Sequence, residues 1–397
     1  MRDNCNAETY NFLDHAVSRA VRWLSPIIGV KNLVRPFLNR WRASLIGDAF
    51  IDMLISSIGS IDRWGLDALK FIRTEEMKLM ENKDHLTSEE SIVVLRRLSY
   101  LCHIGQWGVL PITEVKTSLY QYSRDYYIEA EKLAQGRFYQ RIPIPWNGKK
   151  CWGNLHLPRE GEPPFPLIVM LHGLDDTKEE HLRSELYLQE CGFAVFCFDG
   201  PGQGESLYME HLMWPPNFHE SCMRAIDIAS QYDCDVGRVG VMGISWGGMW
   251  AIKTTAYDQR VKAVYDLGGP IDARQFSKLP FFLKTRVCQA VGITEMRRFS
   301  DLVAEFAIRE LELLKKVCCP VRIVHGGKDP LVPIKDKEWL RDTLKSLHPD
   351  QEVTLVIHPT GDHCCTPQAL EIRRDAAEFF GRHLGPAEND LSLSSNL

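Results

Sequence analysis

The stretch that most constrains this chain is Val239-Gly240-Val241-Met242-Gly243-Ile244-Ser245-Trp246-Gly247-Gly248. It reads as a short apolar strand running into Gly-x-Ser-x-Gly, followed by the apolar start of a helix. Such a turn lifts the Ser245 hydroxyl above the sheet, and side chains at Gly243 and Gly247 would collide with the neighbouring strand and helix. It also aims the backbone N–H of Trp246, at a helix N-terminus, at the place where an oxyanion would form. The pentapeptide alone is a weak signal. The strand before it and the helix pattern after it make Ser245 a candidate nucleophile and not merely a turn serine.

Apolar runs alternate with helical patterns around it. Phe138 to Trp146, Asn147-Gly148 and Lys149 to Leu157 read as a hairpin closed by a type I′ turn. Strands are expected at Leu167 to Leu171, Phe193 to Phe198, Arg238 to Gly243, Val261 to Leu267, Val321 to His325 and Val353 to Ile357. Helical patterns such as Glu179 to Glu190 and Ala369 to Leu384 separate them. Continuous apolar strands alternating with helices imply an α/β fold, a mostly parallel sheet covered on both faces. Between the fourth and fifth of these strands, an insertion at about 270–317 carries Phe281, Phe282, Leu302, Phe306 and Leu313 on helical spacings. It is read as a helical lid, although packing explains the same residues.

Residues 1–140 are helical in pattern. Trp41, Leu45, Phe50, Leu54, Ile55 and Ile58 recur at helical spacing, and Thr87-Ser88-Glu89-Glu90 is a capping box. That helix is expected to stop at Gly105, and a further one runs from Thr113 to Gly136. Arg19, Arg22, Lys31, Arg35, Arg40 and Arg42 are read as a solvated basic face, and Trp41, Trp64 and Trp107 as core. The domain plan is a helical cap or dimerisation domain at 1–140, a catalytic domain at 141–386 and a polar tail at 387–397. A homodimer through the helical domain is one expectation.

Composition excludes other classes. Forty-seven basic against 52 acidic residues give a net charge of −5, no footprint for nucleic acid. The start, Met1-Arg2-Asp3-Asn4-Cys5, has no apolar signal core, and the run Leu45 to Ile61 is broken by Asp48 and Asp52, so no membrane span is expected. Adjacent pairs Cys318-Cys319 and Cys364-Cys365 suit reduced, packed thiols better than a disulfide framework. The expectation is a cytoplasmic protein acting on a small molecule; Ser395-Asn396-Leu397 matches a peroxisomal tail only loosely.

A serine hydroxyl needs a base within hydrogen-bond reach, and that base needs an anion to fix its tautomer. After a nucleophile elbow the acid follows a later strand and the histidine the last one. Asp329, in Gly326-Gly327-Lys328-Asp329-Pro330, and His363, in Gly361-Asp362-His363-Cys364, fall at those places. Asp336 and Asp362 are alternatives for the acid and His358 for the base. His325 reads as a packed strand end and His172 as a residue shaping its turn. That turn would offer the Leu174 N–H as the second oxyanion donor, opposite Trp246. Gly200-x-Gly202-x-Gly204 lacks the last glycine of a dinucleotide loop, where Glu205 stands, and reads as a tight turn in the pocket wall. No phosphate-loop, His-Glu-x-x-His or Cys-x-x-Cys motif occurs, so no cofactor or metal is expected. Cys364 and Cys365 read as small buried fillers sooner than reactive thiols.

Four strings together resemble one branch of the α/β-hydrolase superfamily: Met170 to Glu180, Phe198 to Ser206, Gly243 to Gly248 and Gly361 to Cys365. The set is similar to the 2,6-dihydroxypseudooxynicotine hydrolases, which cleave a carbon–carbon bond next to a ketone, to fungal hydrolases that shorten pigment polyketides, and to FrsA-like esterases. The resemblance covers roughly residues 140–385 and implies an α/β-hydrolase fold, with Ser245, Asp329 and His363 at the family's triad positions. It also implies a role in secondary metabolism or aromatic catabolism. Two departures stand out. His172-Gly173-Leu174 replaces Gly-Gly-Leu, which leaves the backbone role intact. The lid carboxylate used by the nicotine-degrading member has no clear counterpart between Pro270 and Arg298, Asp272 being the nearest candidate. Carbon–carbon cleavage, ester cleavage and acyl transfer therefore all remain open at this point.

Overall fold

The computed structural model describes residues 12–272, 279–293 and 303–385. The sheet opens with a hairpin of β1 (Tyr139–Trp146) and β2 (Lys149–His156). Asn147 and Gly148 between them hold φ of 46° and 75°, the two left-handed residues that a type I′ turn requires. Then come β3 (Phe165–Leu171), β4 (Ala194–Asp199), β5 (Cys234–Ile244), β6 (Val261–Leu267), β7 (Val321–Gly326) and β8 (Val353–His358). They form one sheet in the order β1-β2-β4-β3-β5-β6-β7-β8. The β1–β2 and β2–β4 pairs are antiparallel and the rest parallel.

The apolar runs are continuous because both faces of the sheet are covered. Along β3, Leu167, Val169 and Leu171 enter one core, and Ile168 and Met170 the other. The first core lies under α7 (His219–Ala229), α8 (Trp246–Tyr257) and α10 (Ile334–Leu347); the second lies under α6 (Leu182–Glu190) and α11 (Ala369–Leu384). The inserted segment contributes α9 (Phe281–Val291). Its Leu302 and the tail at 387–397 lie outside the described residues.

Ahead of the sheet stand α1 (Phe12–Ile28), α2 (Asp48–Ser57), α3 (Trp64–Asn82), α4 (Ser88–Trp107) and α5 (Glu114–Gln135). The capping box is present: Thr87 Oγ1 accepts from Glu90 N–H and Thr87 N–H donates to Glu90 Oε2. Gly105 is not a stop. The helix runs on to Trp107, and Gly105 is the contact point with its neighbours, where an added Cβ would lie 3.3 Å from both Ala68 Cβ and Leu119 Cδ2. Trp41, Trp64 and Trp107 are buried against one another, with Trp41 and Trp107 ring centroids 5.2 Å apart. The basic face needs one correction. Arg40 is held inside by Asp175, Asp176 and Glu180, not solvated. No helix among the described residues is long and apolar enough to cross a membrane.

Candidate active site

β5 ends at Ile244 and α8 begins at Trp246, so Ser245 alone makes the turn, with φ 52° and ψ −125°. A non-glycine residue there is strained, and the surroundings hold it. Ser245 N–H donates to Leu267 O on β6 at 2.8 Å. A Cβ on Gly243 would come 2.2 Å from Gly247 O, and one on Gly247 2.0 Å from Leu171 O. The glycines of the motif are thus set by backbone close approach.

The structure brings Ser245, His363 and Asp329 together from the ends of β5, β8 and β7. His363 Nε2 lies 2.8 Å from Ser245 Oγ, and Nδ1 lies 2.8 Å from Asp329 Oδ2. With Nδ1–H donating to the carboxylate, Nε2 is left to accept the serine proton. Asp329 Oδ1 accepts the N–H groups of Leu331 and Val332, at 2.7 and 3.0 Å. Burial alone would raise the Asp329 carboxyl, but His363 and those N–H groups bring it below the ordinary carboxylate range. Burial likewise disfavours the His363 imidazolium. The adjacent Cys364 sulfur and the Asp329 carboxylate outweigh that and leave His363 well above an ordinary histidine.

The alternatives stand elsewhere. Asp362 is spent capping Thr366 through its N–H and hydroxyl. Asp336 sits in α10 and pairs with Arg309. His358 faces Glu371, while His325 is buried with Nε2 3.0 Å from Val332 O. Cys365 is buried, and Cys364 is half-buried beside the cavity. Both hold left-handed φ, of 59° and 51°, in the turn that presents His363.

The turn at His172-Gly173-Leu174 packs against the serine: a Cβ on Gly173 would lie 3.2 Å from Ser245 Cβ. Leu174 and Trp246 both border the cavity beside Ser245. Three groups fix the turn. Gln203 Nε2 donates to His172 O and Gly173 O, both at 3.0 Å, and Gly173 N–H donates to Asp176 Oδ2 at 3.0 Å. His172 Nε2 lies 2.9 Å from Asp199 Oδ1. Asp199 also anchors the buried Lys178 ammonium, which touches Glu179 and Glu205 as well. Sequence reasoning missed both this cluster and the Arg40 cluster. The run Asp175 to Glu180 was the available signal, since so many charges beside a proposed oxyanion turn need partners. The Gly200 to Gly204 turn is tight, with φ of 81° at Gly202, but it is buried behind the His172-Gly173-Leu174 turn and does not line the pocket.

The cavity above Ser245 has a volume of about 640 Å³. Leu33, Pro36 and Phe37 from the helical region and Leu279, Phe282 and Leu283 from the inserted segment form its apolar wall. Arg286 of α9 ties the two together by donating to Trp107 O at 2.6 Å and to Val109 O and Leu110 O at 3.2 Å. Asp272 borders the cavity too, 3.3 Å from Arg309.

Comparison with known proteins points to the same fold. The esterase FrsA-like family model matches residues 88–285. A 2,6-dihydropseudooxynicotine hydrolase of Paenarthrobacter nicotinovorans is 30% identical over 227 residues, 56% of this chain and 58% of that protein. Hydrolase LUC6 of a Fusarium species is 34% identical over 143 residues, 34% of each chain. The alignments thus span from about a third to just over half of these relatives' lengths. The crystal structure of the 2,6-dihydroxy-pseudo-oxynicotine hydrolase superposes with a TM-score of 0.75 at 22% identity, covering 87% of this chain and 95% of that one. Sheet order, elbow and relatives converge: the chain has an α/β-hydrolase fold and over part of its length is similar in sequence to these hydrolases.

Proposed function

We propose that the protein is a serine hydrolase that attacks a ketone or ester carbonyl and passes through an acyl-enzyme. The observation that carries this reading is the unbroken Ser245–His363–Asp329 hydrogen-bond chain at the floor of a large cavity. Ser245 Oγ attacks the carbonyl carbon as His363 takes its proton, and Asp329 stabilises the imidazolium. The Leu174 and Trp246 N–H groups receive the oxyanion. When the tetrahedral adduct collapses, His363 returns the proton to the leaving group, and water then releases the acid by the same steps. In an acylphenol or β-diketone the leaving carbon departs as a stabilised enolate- or phenolate-type anion, so one triad serves C–C and ester hydrolysis alike.

A cavity of this size walled by Phe37 and Phe282 suits an aryl ketone or polyketide better than a short ester. The relative named a 2,6-dihydropseudooxynicotine hydrolase points the same way. The test is a panel of acylphenols, β-diketones and p-nitrophenyl esters, with products identified by mass spectrometry. Turnover of the esters alone would remove C–C cleavage, and ester formed with an added alcohol would indicate acyl transfer instead. All described cysteines are free thiols, which fits the reducing cytoplasm. Trp23, Leu24, Ile27 and Ile28 are exposed along α1, and a second copy of the chain is our proposed occupant of that face. Sedimentation should then show a dimer that Trp23→Glu dissociates.

A further inference from the structure

Three arginines line the catalytic cavity, and they are not equivalent. Arg40 is saturated by three carboxylates. Arg183 and Arg373 have no carboxylate within ion-pair distance among the described residues. Their acceptors are neutral. Arg373 Nε donates to Ser184 Oγ at 3.1 Å and Nη2 to Ala43 O at 2.8 Å, while Arg183 Nη1 donates to Ser44 O at 3.0 Å. Arg183 Nε is buried with no acceptor at all. Arg373, on α11, is only 7% exposed.

We infer that Arg183 and Arg373 form an anion subsite in the wall of the catalytic cavity, for a substrate that carries a carboxylate besides its reacting carbonyl. That the bound molecule is a substrate with a reacting carbonyl rests on the hydrolase reading; the binding of its carboxylate does not. Two guanidiniums near one another at the cavity wall repel, and the buried Arg183 Nε–H without an acceptor costs free energy. Burial, reinforced by Arg183, brings the Arg373 guanidinium down to about 10. An anion between them reverses both penalties. The planar forks left over match a carboxylate, which takes two parallel N–H donors. A monoanion fits better than a phosphate dianion, because Asp175, Asp176 and Glu180 border the same cavity with Arg40 as their shared cation.

The experiment uses the full chain with Ser245→Ala and two probes, 6-phenylhexanoate and 6-phenylhexanamide, which match in shape and differ in charge. Isothermal titration should show the acid binding about tenfold tighter or more than the amide. That preference should vanish in Ser245→Ala with Arg183→Gln. Equal binding of acid and amide, no binding of the acid, or a preference that survives the Arg183 change would overturn the inference. The acid–amide comparison with both arginines intact needs no arginine variant to fold. Fluorophosphonate labelling of the unmutated chain separates the two readings. Labelling with equal acid and amide binding sinks the anion subsite alone, whereas acid preference without labelling keeps it and sinks hydrolysis.

Discussion

Lys178→Met tests how the His172-Gly173-Leu174 turn is held. The Lys178 ammonium lies 2.8 Å from Glu179, 2.9 Å from Asp199 and 2.9 Å from Glu205, and donates to the Tyr120 hydroxyl at 3.0 Å. These side chains are essentially excluded from water. Methionine fills nearly the same space and removes the charge. Glu205 keeps Arg124 and Arg141, and Asp199 keeps His172, but Glu179 loses its cation. Breaking such a buried pair from one side costs about 3–5 kcal/mol, a large part of the ~5–15 kcal/mol that holds a typical domain. For a chain of this size the melting temperature should fall by roughly 4–6 °C at neutral pH.

The pH dependence follows with its sign. Burial pushes Asp199 and Glu205 up, and Lys178 with the other cations pulls both below their ordinary values. A depressed carboxyl contributes stability above its unfolded pKa and loses it as pH falls through the folded one. Without Lys178 that contribution shrinks, and Glu179, which burial already holds above its ordinary value, rises further and can take up a proton as pH falls, so the deficit of the variant should be largest near pH 7 and narrow toward pH 4. Because Asp199 also holds His172, turnover should drop as well. Calorimetry of both chains between pH 4 and pH 8 is the assay. A melting shift under ~2 °C at pH 7, or a deficit independent of pH, would refute the reasoning.

Asp329→Asn should lower kcat about 10⁴-fold, as the carboxylate that orients and stabilises the imidazolium is lost. Because His363 must be neutral to act and is held high, the acid limb of kcat/KM should lie above the ordinary histidine range. It should move to lower pH in that variant, and an unmoved limb would contradict the assignment. Gly243→Ala places a methyl 2.2 Å from Gly247 O and should cost about 3 kcal/mol, visible as a lower urea midpoint with weakened activity. Arg286→Met frees the inserted helix from the Trp107 to Leu110 carbonyls, so KM should rise more than kcat falls; steady-state kinetics on the best substrate of the panel decides this.

The elbow and the strands were legible because their causes are local. A strand buried on both faces is a continuous apolar run, and Gly243, Ser245 and Gly247 answer to contacts a few residues away. The places of Asp329 and His363 followed from chain order. What stayed hidden depends on partners far along the chain. Arg40 meets Glu180 across 140 residues, and nothing near Arg40 distinguishes it from a solvated arginine. Gly105 looked like a stop because glycine ends helices more often than it lets two of them approach. The Gly200 to Gly204 turn looked like pocket wall because its sequence says how the chain bends, and only the packing of Phe218 and Trp214 over it says what it faces.

The central claim is that Ser245 is a nucleophile activated through His363. Intact-mass and peptide mapping after treatment with a fluorophosphonate tests it most directly. One adduct on the peptide holding Ser245 is predicted, formed faster as pH rises, slowed greatly in His363→Gln and absent in Ser245→Ala. An adduct on another residue, or labelling that survives Ser245→Ala, would contradict it.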